Sequence, residues 1–306
     1  MARQRRGLPV NGVLLLDKPK GLSSNHALQR VRRLFQAQKA GHTGTLDPMA
    51  TGLLPVCLGE ATKFSAHLLE ADKVYRTRVE LGVITETGDA EGEVIERCKV
   101  PLLANAEIEA VLERFRGEIE QVPPMYSALK HQGRKLYELA REGKTVERAA
   151  RRVSVYDARL LACEALAFEL EVNCSKGTYI RTLAEDIGHA LGCGAHISAL
   201  RRLKTGPFTA HHMWTLEALE ALPDQAAREA QLLSVDALVE HLPVLTVDAQ
   251  ASARLSHGQS AQLDTLPLGS GELARLYHDA AFIGLGVVKG AQEVAPKRLL
   301  STVAIS

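Results

Sequence analysis

The chain has 306 residues, of which 46% are hydrophobic and 24% charged, and its formal net charge is +1. This composition is ordinary for a globular protein, and the near-neutral charge excludes a uniformly basic protein, so any surface for nucleic acid must be local. A chain of this length can bury a core without metal or disulfide crosslinks, as one large domain or as a large and a small one.

The five cysteines include no C-x-x-C pair, and their number is odd. This usage predicts reduced thiols in a cytoplasmic protein rather than a disulfide framework or a zinc site. The basic start MARQRRG is similar to the first part of a signal peptide, but the apolar run Val13–Leu16 behind it is far too short, so we expect no signal peptide. No stretch approaches the roughly 20 apolar residues of a membrane span, and we expect no membrane partner.

The first predicted elements are a strand, a helix and a second strand. The apolar run Val13–Leu16 ends at the turn DKPKG, which is typical of a buried strand. Ser23 or Ser24 can cap a following helix, whose apolar stripe reaches Phe35. A second strand is predicted from Val74 to Gly82, before the turn-rich stretch TETGDAEG.

Three more elements are predicted further along the chain. Asn105 can cap a helix that runs through Phe115. Apolar residues alternate with polar ones from Leu166 onwards in the segment 165–174, which predicts a strand with one buried face. After SKG, the stripe formed by Ile180, Leu183, Ile187 and Leu191 indicates a helix. Because no regular βαβ rhythm appears, we expect an α/β (α+β) fold with a mixed, largely antiparallel sheet and flanking helices.

Shifts in charge and composition suggest where the chain divides. Residues 128–152 carry eight lysines and arginines against three glutamates, a net charge of +5, whereas residues 217–240 are mostly acidic. Beyond them the chain consists of short strand-like pieces with many glycines. We therefore predict a large domain over 8–240, with a basic segment at about 121–152, and a small β-rich domain over 241–306.

The segment 41–63, GHTGTLDPMATGLLPVCLGEATK, gathers four glycines, four threonines and two prolines around Asp47. A loop this rich in residues of special backbone conformation is held in a defined shape. Asp47 precedes Pro48, and an aspartate in this place commonly caps a helix or starts a turn. By its spacing alone the segment predicts no reaction, and it lacks the G-x-x-x-x-G-K-[ST] pattern of a phosphate-binding loop.

The same segment closely resembles the nucleophile motif of the TruB family of tRNA pseudouridine synthases. Further resemblances, in the family's order, are KVYRTRVELGVITETGDAEG at 73–92, QVPPMYSALKHQGRKLYELAREG at 121–143, CSKGTYIRTLAEDIGHALGCGAH at 174–196 and LRRLKTGPF at 200–208. The opening GVLLLDKPKGLSS at 12–24 is similar to the family's first strand and turn. Together the matches cover most of residues 10–210, and by them the chain is identified as a member of this family.

The resemblance implies a pseudouridine-synthase core and one target, uridine 55 in the T arm of tRNA, with no cofactor and no metal. Moving the glycosidic bond from N1 to C5 of uracil is redox-neutral and gains or loses no atoms. The reaction needs a nucleophile, a means of holding the detached base, and removal of the C5 proton. Because the family's tRNA complex needs one copy of each motif, we expect a monomer.

The family's catalytic residues correspond to Asp47, Tyr75 and Arg181. A carboxylate with an ordinary pKa is ionised at neutral pH and can attack without activation by a base, and Arg181 would orient it. Whether it attacks the ribose C1′ or the base C6, or assists elimination to a glycal, stays open in the sequence. Tyr75 would stack on the flipped uracil, and its hydroxyl could help to remove the C5 proton. An ordinary core tyrosine is the alternative for Tyr75.

The resemblance places substrate contacts also at His42, Tyr179 and Leu200. His42 would pack against the displaced base or its neighbour, and Leu200 would form the apolar wall of the uracil pocket. From spacing alone, His42 could be hydrogen-bonded within its own loop, and Leu200 could be any buried leucine. Lys18 and Pro19 are expected to shape a turn near the site.

Lys130, Arg134 and Lys135 lie in the basic segment, which by resemblance clamps the T arm of the tRNA. The alternative is a solvated helix face, but its i, i+4 pairs would include like charges, which repel each other. A cluster with a net charge of +5 is easier to understand as a surface that faces phosphates.

The C-terminal part of the chain resembles the PUA domain, a small β-barrel-like RNA-binding module, through LSHGQ at 255–259, LARLYHDAAFIGLGVV at 273–288 and PKRLL at 296–300. Such a domain would contact the acceptor end of the tRNA, or it could be a stabilising appendage. The alternative to an enzyme is an RNA-folding chaperone of the same fold, which would not need a carboxylate facing a polyanion. A hydrolase with an aspartyl nucleophile would need a cluster of metal-binding acids around Asp47, and the sequence has none there.

Overall fold

A computed structural model describes residues 7–264 and 266–301, so the basic start of the chain, residues 1–6, lies outside the described residues. The strands are β1 (Gly12–Lys18), β2 (Ala40–His42), β3 (Thr51–Leu58), β4 (Lys73–Leu81), β5 (Val83–Thr85), β6 (Val94–Arg97), β7 (Gly117–Gln121), β8 (Lys130–His131), β9 (Arg134–Lys135), β10 (Arg151–Cys163), β11 (Ala167–Cys174), β12 (Ala195–Thr205), β13 (Phe208–Thr209), β14 (Val244–Val247), β15 (Ala261–Gln262), β16 (Leu273–His278), β17 (Ala281–Val288) and β18 (Glu293–Leu299).

The helices are α1 (Ser24–Leu34), α2 (Ser65–Leu69), α3 (Asn105–Glu113), α4 (Leu136–Arg141), α5 (Ile180–Ala190), α6 (Leu216–Glu220), α7 (Gln225–Glu229) and α8 (Ala249–Ser256), with short 3-10 turns at Gly59–Lys63, Ala210–His212 and Val235–Val239. Of these helices, none is both long and apolar enough to cross a membrane.

A nine-stranded sheet forms the centre of the structure. Its order is β1-β3-β12-β4-β11-β10-β7, with β2 added to β3 and β13 added to β12. Strands β12 and β3 pair in parallel, and the other pairings of this sheet are antiparallel. The predicted mixed, largely antiparallel sheet with flanking helices is therefore confirmed. A second sheet, with the order β14-β16-β17-β18-β15, is formed by residues 244–299.

Alternation of apolar and polar residues builds the middle strands of the large sheet. On β4 every second residue from Lys73 to Leu81 is buried, and on β11 Phe168, Leu170 and Val172 are buried in the same way. The prediction that Leu166 shares this buried face is wrong. Leu166 is exposed because it lies in the hairpin turn between β10 and β11, where the Glu164 N–H donates to the Ala167 carbonyl at 2.7 Å.

Two of the predicted helices are confirmed. The Ser23 hydroxyl accepts a hydrogen bond from the His26 N–H at 3.2 Å and so caps α1. Helix α5 buries Ile180, Leu183 and Ile187, and both helices contribute to the same apolar core.

The prediction for Asn105 is wrong in its details. Helix α3 contains Asn105 as its first residue and ends at Glu113, before Phe115. The N–H of the preceding Ala104 donates to the Glu107 carboxylate at 2.7 Å. A glutamate in the first turn therefore satisfies the backbone at this helix start, as in half of a capping box.

Three apolar cores hold the described residues together. The first lies between the sheet and helices α1, α3, α5 and α6. The second lies on the opposite face of β1 and β3, where Val13 and Leu15 meet Phe64, and it is completed by Phe282 and Leu285 of β17. The third is within the second sheet and includes α8. The second sheet therefore packs directly on the β1–β3 end of the first.

Candidate active site

The loop that carries Asp47 connects β2 with β3 and is held on both sides of the aspartate. The Lys18 ammonium, which is completely buried, donates to the Pro48 carbonyl at 3.4 Å. The Ser24 hydroxyl accepts a hydrogen bond from the Leu46 N–H at 2.7 Å. Residues on either side of Asp47 are therefore tied to β1 and α1, which fixes the position of the carboxylate between them.

The turn expected at Asp47 exists in its main chain, but its side chain does something else. The Asp47 carbonyl accepts a hydrogen bond from the Ala50 N–H at 3.1 Å, as in a turn. The carboxylate instead forms an ion pair with Arg181, with 3.0 Å between Oδ2 and Nη2. The Asp47 side chain is 35% exposed and the Arg181 side chain 5% exposed. Solvent can therefore reach the carboxylate, while the guanidinium that supports it is buried.

Arg181, at the start of α5, is fixed by three further groups. It donates from Nη1 to the Thr87 carbonyl at 2.6 Å and from Nη2 to the Tyr126 carbonyl at 2.7 Å. Its Nε lies 3.7 Å from Oδ2 of Asp89, which is itself buried. One guanidinium thus connects the Asp47 loop with the turn after β5 and with the basic segment, and the planar fork of an arginine suits such a junction.

The pKa of Asp47 differs from the ordinary value expected from the sequence. Burial raises the pKa of the Asp47 carboxyl, and the charge of Arg181 is the largest influence in the opposite direction. The neighbouring Asp89 adds to the increase. Because a more basic carboxylate is a better nucleophile once it is ionised, the opposing effects of burial and Arg181 suit covalent attack.

Tyr75 and Leu200 lie on neighbouring strands, β4 and β12, and both belong to the first core. The register places Leu200 opposite Thr77 and Tyr75 opposite Arg202. Burial raises the pKa of the Tyr75 hydroxyl, and the charge of Asp47 contributes to the same increase. Tyr75 is therefore a buried residue of the first core that also lies within electrostatic reach of Asp47, and its stacking on uracil stays a prediction.

His42 is the last residue of β2, before the Asp47 loop. Its Nδ1 atom is buried and finds no hydrogen-bond partner among the described residues. A hydrogen bond from this atom within its own loop, the alternative that spacing favoured, is therefore not present. Burial and the positive charge of Arg202 lower the pKa of His42, which favours the neutral imidazole.

Tyr179 occupies the cap position of α5, two residues before Arg181. The buried Gln121 side chain fixes it, because Oε1 accepts from the Tyr179 N–H at 3.0 Å and Nε2 donates to the Tyr179 carbonyl at 3.2 Å. Burial raises the pKa of the Tyr179 hydroxyl, and Asp47 contributes to the increase. Of the other residues predicted for the pocket, Tyr75 and Tyr179 are thus within the electrostatic influence of Asp47, while the roles of His42 and Leu200 stay predictions.

Comparison with known proteins identifies the family. Residues 32–180 match the model of the TruB family pseudouridylate synthase N-terminal domain, residues 181–240 that of the tRNA pseudouridylate synthase B C-terminal domain, and residues 243–300 that of the pseudouridine synthase II TruB C-terminal region. The tRNA pseudouridine synthase B of Chromohalobacter salexigens is 70% identical over 306 residues, which is 100% of this chain and 99% of the relative. The chain belongs to the TruB family.

Other comparisons agree with this family assignment. The tRNA pseudouridine synthase B of Aromatoleum aromaticum is 54% identical over 295 residues, covering 96% of this TruB-family chain and 94% of the relative. A chain of an H/ACA RNP bound to a substrate RNA containing 2′-deoxyuridine has the same fold, with a TM-score of 0.74 and 24% identity over 100% of this chain and 93% of that one. A chain of a Cbf5–Nop10–Gar1 complex has a TM-score of 0.70 and 26% identity over 97% and 90%.

In this TruB-family protein the cations of the basic segment are not joined to the Asp47 centre. Lys130, Arg134 and Lys135 lie on the hairpin β8–β9, and Arg134 pairs with Glu142. The described ion pairs link none of the three to Asp47 or Asp89. The helix-face alternative does not hold for the whole segment, because α4 covers only residues 136–141.

A cleft of about 420 Å³ separates the basic segment from α5 of the TruB-family fold. It is lined by residues of both, including Tyr126, Arg148, Thr182 and Glu185. Burial raises the pKa of Glu185 from 4.5 to about 7, against the lowering effect of Arg181. Within the described residues, no group of three or more His, Cys, Asp or Glu side chains is arranged to hold a metal ion.

Replacement of this carboxyl, Glu185→Gln, is expected to stabilise the protein at pH 8 and not at pH 5. The folded state binds an extra proton between pH 4.5 and about 7, so stability falls as the pH rises through this window. Glutamine resembles the protonated carboxyl and removes that loss. Because Glu185 is partly exposed, we expect a gain of only about 1–2 kcal/mol at pH 8. Urea unfolding at both pH values measures it, with the exposed Glu240→Gln as control. A gain of equal size at pH 5 would contradict the proton linkage.

Sequence reasoning missed three charged residues of this TruB-family site. The stretch TETGDAEG, which contains Asp89, predicts a turn but no ion pair with Arg181. The sequence places Lys18 in a turn but does not predict that it holds the Asp47 loop. Arg202 is buried beside Tyr75 although arginine usually signals a surface position. Its place two residues after Leu200, at an inward position of a strand, was the signal that could have revealed it.

Proposed function

We propose that this protein isomerises uridine 55 in the T loop of tRNA to pseudouridine, with Asp47 as the nucleophile. The observation that carries the proposal is the ion pair between a carboxylate that solvent can reach and the buried Arg181. The relatives named tRNA pseudouridine synthase B, at 70% and 54% identity over nearly the whole chain, support the reaction and the substrate class.

The residues suit a reaction centred on the sugar. The uridine flips out of the RNA, and stacking on Tyr75, worth about 1–3 kcal/mol, offsets much of the cost of unstacking. The Asp47 carboxylate attacks C1′ of the ribose while the electron pair of the N1–C1′ bond leaves with the uracil as an anion. The base turns, C5 attacks C1′, and the carboxylate leaves. The C5 proton then moves to N1. Arg181 orients Asp47, and Leu200 supplies the apolar wall. The atoms balance, and no oxidation or hydrolysis occurs.

Tritium release tests the reaction directly. T-arm RNA labelled with tritium at uridine C5 should lose the label to water only if the C5 proton is removed. Release approaching one equivalent per target uridine is the expected result with the wild-type protein. Tight RNA binding without any release would instead favour the RNA-folding chaperone of the same fold.

We further propose that residues 8–240 form the catalytic domain and residues 241–306 a PUA-like RNA-binding domain that contacts the acceptor end. His42 and Tyr179 would complete the substrate pocket. We place the protein in the cytoplasm, in keeping with five free cysteines, and expect a monomer that binds one tRNA. Light scattering of the free protein and of its tRNA complex tests the stoichiometry, and a dimer in either state would contradict it.

Reversal of the charges on Lys130, Arg134 and Lys135 to glutamate is expected to weaken tRNA binding and to flatten its salt dependence. Each lost phosphate contact lowers the slope of log K against log salt by about 0.7–0.9, so the triple variant should lose about 2 in slope. Filter binding between 50 and 200 mM salt, as rough limits, measures this. The double variant Arg97→Glu/Lys99→Glu, at two exposed positions at the end of β6 and just after it, is the charge control. An unchanged slope would assign the three cations to a solvated surface.

A further inference from the structure

Three buried cations near Tyr75 and the Asp47 loop form no salt bridge with a carboxylate among the described residues. Lys18, Lys73 and Arg202 are 0%, 7% and 1% exposed. Arg181, the fourth buried cation, pairs with Asp47 and Asp89, but among the described ion pairs none involves the other three. At longer range the charges of Asp47 and Glu91 still act on Lys18, and that of Asp72 acts on Lys73. A buried charge without a directly paired counter-charge costs free energy, so its presence needs an explanation.

Main-chain carbonyls hold these three cations in place. Arg202 donates from Nε to the Leu53 carbonyl at 2.7 Å and from Nη2 to the Gly44 carbonyl at 3.3 Å. Lys73 donates to the Leu69 carbonyl at 2.9 Å. Carbonyl oxygens orient a cation but carry no formal charge to neutralise it, so a protonated group held in this way can still act on other ligands.

The three cations, which we call the cation floor, lie on β1, β12 and β4 of the large sheet, where β12 and β4 are neighbours and β3 lies between β1 and β12. Lys18 ends β1, Lys73 begins β4, and Arg202 lies on β12 directly opposite Tyr75. Burial lowers the pKa of both lysines to about 8, and Arg202 contributes to the decrease in each case. The groups therefore act on one another through the protein interior, and Arg202 acts in the same way on Tyr75 and His42.

The proposed reaction moves negative charge towards this floor. As the bond from Asp47 to C1′ forms, the carboxylate loses its charge, and the uracil gains one when the N1–C1′ electron pair leaves with it. Negative charge thus passes from the side of Arg181 to a base stacked on Tyr75, next to Arg202. Fixed charges that face the place where charge develops stabilise a transition state strongly, because they need no reorganisation.

We propose that the cation floor stabilises the detached uracil as an anion, and that Arg202, beside Tyr75, contributes most. This inference rests on the proposed function. Arg202 does not touch the base and acts as a positioning residue, through its field and through its hold on the Gly44 carbonyl. When C5 bonds to C1′ and Asp47 leaves, the charge returns to the carboxylate, and the proton from C5 passes to N1.

The test compares T-arm RNA that carries uridine with the same RNA carrying 5-fluorouridine, in single-turnover reactions. Fluorine withdraws electrons and stabilises the uracil anion, so the fluorinated substrate depends less on positive charge in the protein. Arg202→Met should lower the rate at which uridine disappears by about 100-fold, but the rate for 5-fluorouridine by only about 10-fold. The Kd for either RNA should stay within about two-fold of the wild type.

Arg202→Lys is the matched control, because it keeps the charge but loses the fork of hydrogen bonds. In Arg202→Lys both single-turnover rates can fall, but the ratio of the rate for uridine to the rate for 5-fluorouridine should remain that of the wild type. Equal losses on both substrates in Arg202→Met would overturn the proposal and make Arg202 purely structural. If Arg202→Met does not fold, Lys73→Met removes another cation of the floor. A wild-type ratio of the rates for uridine and 5-fluorouridine in Lys73→Met would also overturn the proposal. A wild-type protein that converts neither RNA would refute the proposed function itself.

Discussion

Asp47→Asn is expected to abolish pseudouridine formation, with a loss of at least about 10⁴-fold, while tRNA binding stays within about two-fold of the wild type. Asparagine has almost the same shape, and its amide oxygen can still accept a hydrogen bond from Arg181. It has no charge, however, and does not attack C1′. Removal of an anion from a surface that receives a polyanion should not weaken binding. Tritium release and filter binding on the same RNA measure the two effects.

The control for this variant is Asp224→Asn. Asp224 is exposed and caps α7 through its carboxylate, which accepts from the Ala227 N–H at 2.8 Å. Asparagine caps helices about as well, so neither activity nor stability should change. If Asp47→Asn loses RNA binding and thermal stability together, Asp47 is structural. If it keeps its activity, the nucleophile is another residue.

Arg181→Met is expected to reduce the rate by about 10³-fold and to destabilise the fold by about 3–5 kcal/mol. The change leaves the buried Asp89 without its cation and the carbonyls of Thr87 and Tyr126 without their donors. It also removes the main influence that lowers the pKa of Asp47, so a larger fraction of that carboxyl is protonated at neutral pH. Residual activity should therefore increase with pH more steeply than that of the wild type, as Asp47 ionises.

Two comparisons separate the roles of Arg181. Arg181→Lys keeps the charge, so its pH profile should remain near that of the wild type although its stability falls. Arg201→Met removes an arginine of β12 whose pair with Asp17, at 2.7 Å, is partly exposed, and it should cost only about 1 kcal/mol of stability. An Arg181→Met variant with wild-type stability, or with an unchanged pH profile, would contradict the network described for Arg181.

Periodicity in the sequence predicted the elements that position the site, because alternation and helical stripes are local properties. It failed at element ends: Leu166 lies in a hairpin turn, and the start of α3 is satisfied by Glu107 rather than by Asn105. At these positions the turn geometry and a single side-chain contact determine the structure, and neither produces a periodic pattern in the sequence.

The candidate site was predicted by resemblance rather than by spacing. Asp47 and Arg181 lie far apart in the chain, and nothing local to either shows that their side chains meet at 3.0 Å. Asp89 and Arg202 were missed because charged residues usually mark the surface, whereas here tertiary packing surrounds them with main-chain carbonyls and other charges. Only the folded arrangement reveals that a buried charge has partners of this kind.

The second apolar core affects how the chain can be made on the ribosome. Phe64 packs edge-to-face on Phe282, with 5.4 Å between the ring centroids, and Lys63 donates to the Leu299 carbonyl at 2.9 Å. Translation delivers Phe64 on the order of 10–50 s before the last strands, at the usual 5–20 residues per second. During that interval the core on this face of β1 and β3 lacks Phe282 and Leu285, although Phe64, Phe208 and Leu238 are already made. A nascent chain that ends before β17 therefore exposes the part of this apolar core that Phe282 and Leu285 cover in the complete fold, and a chaperone that holds unfolded chains could bind there.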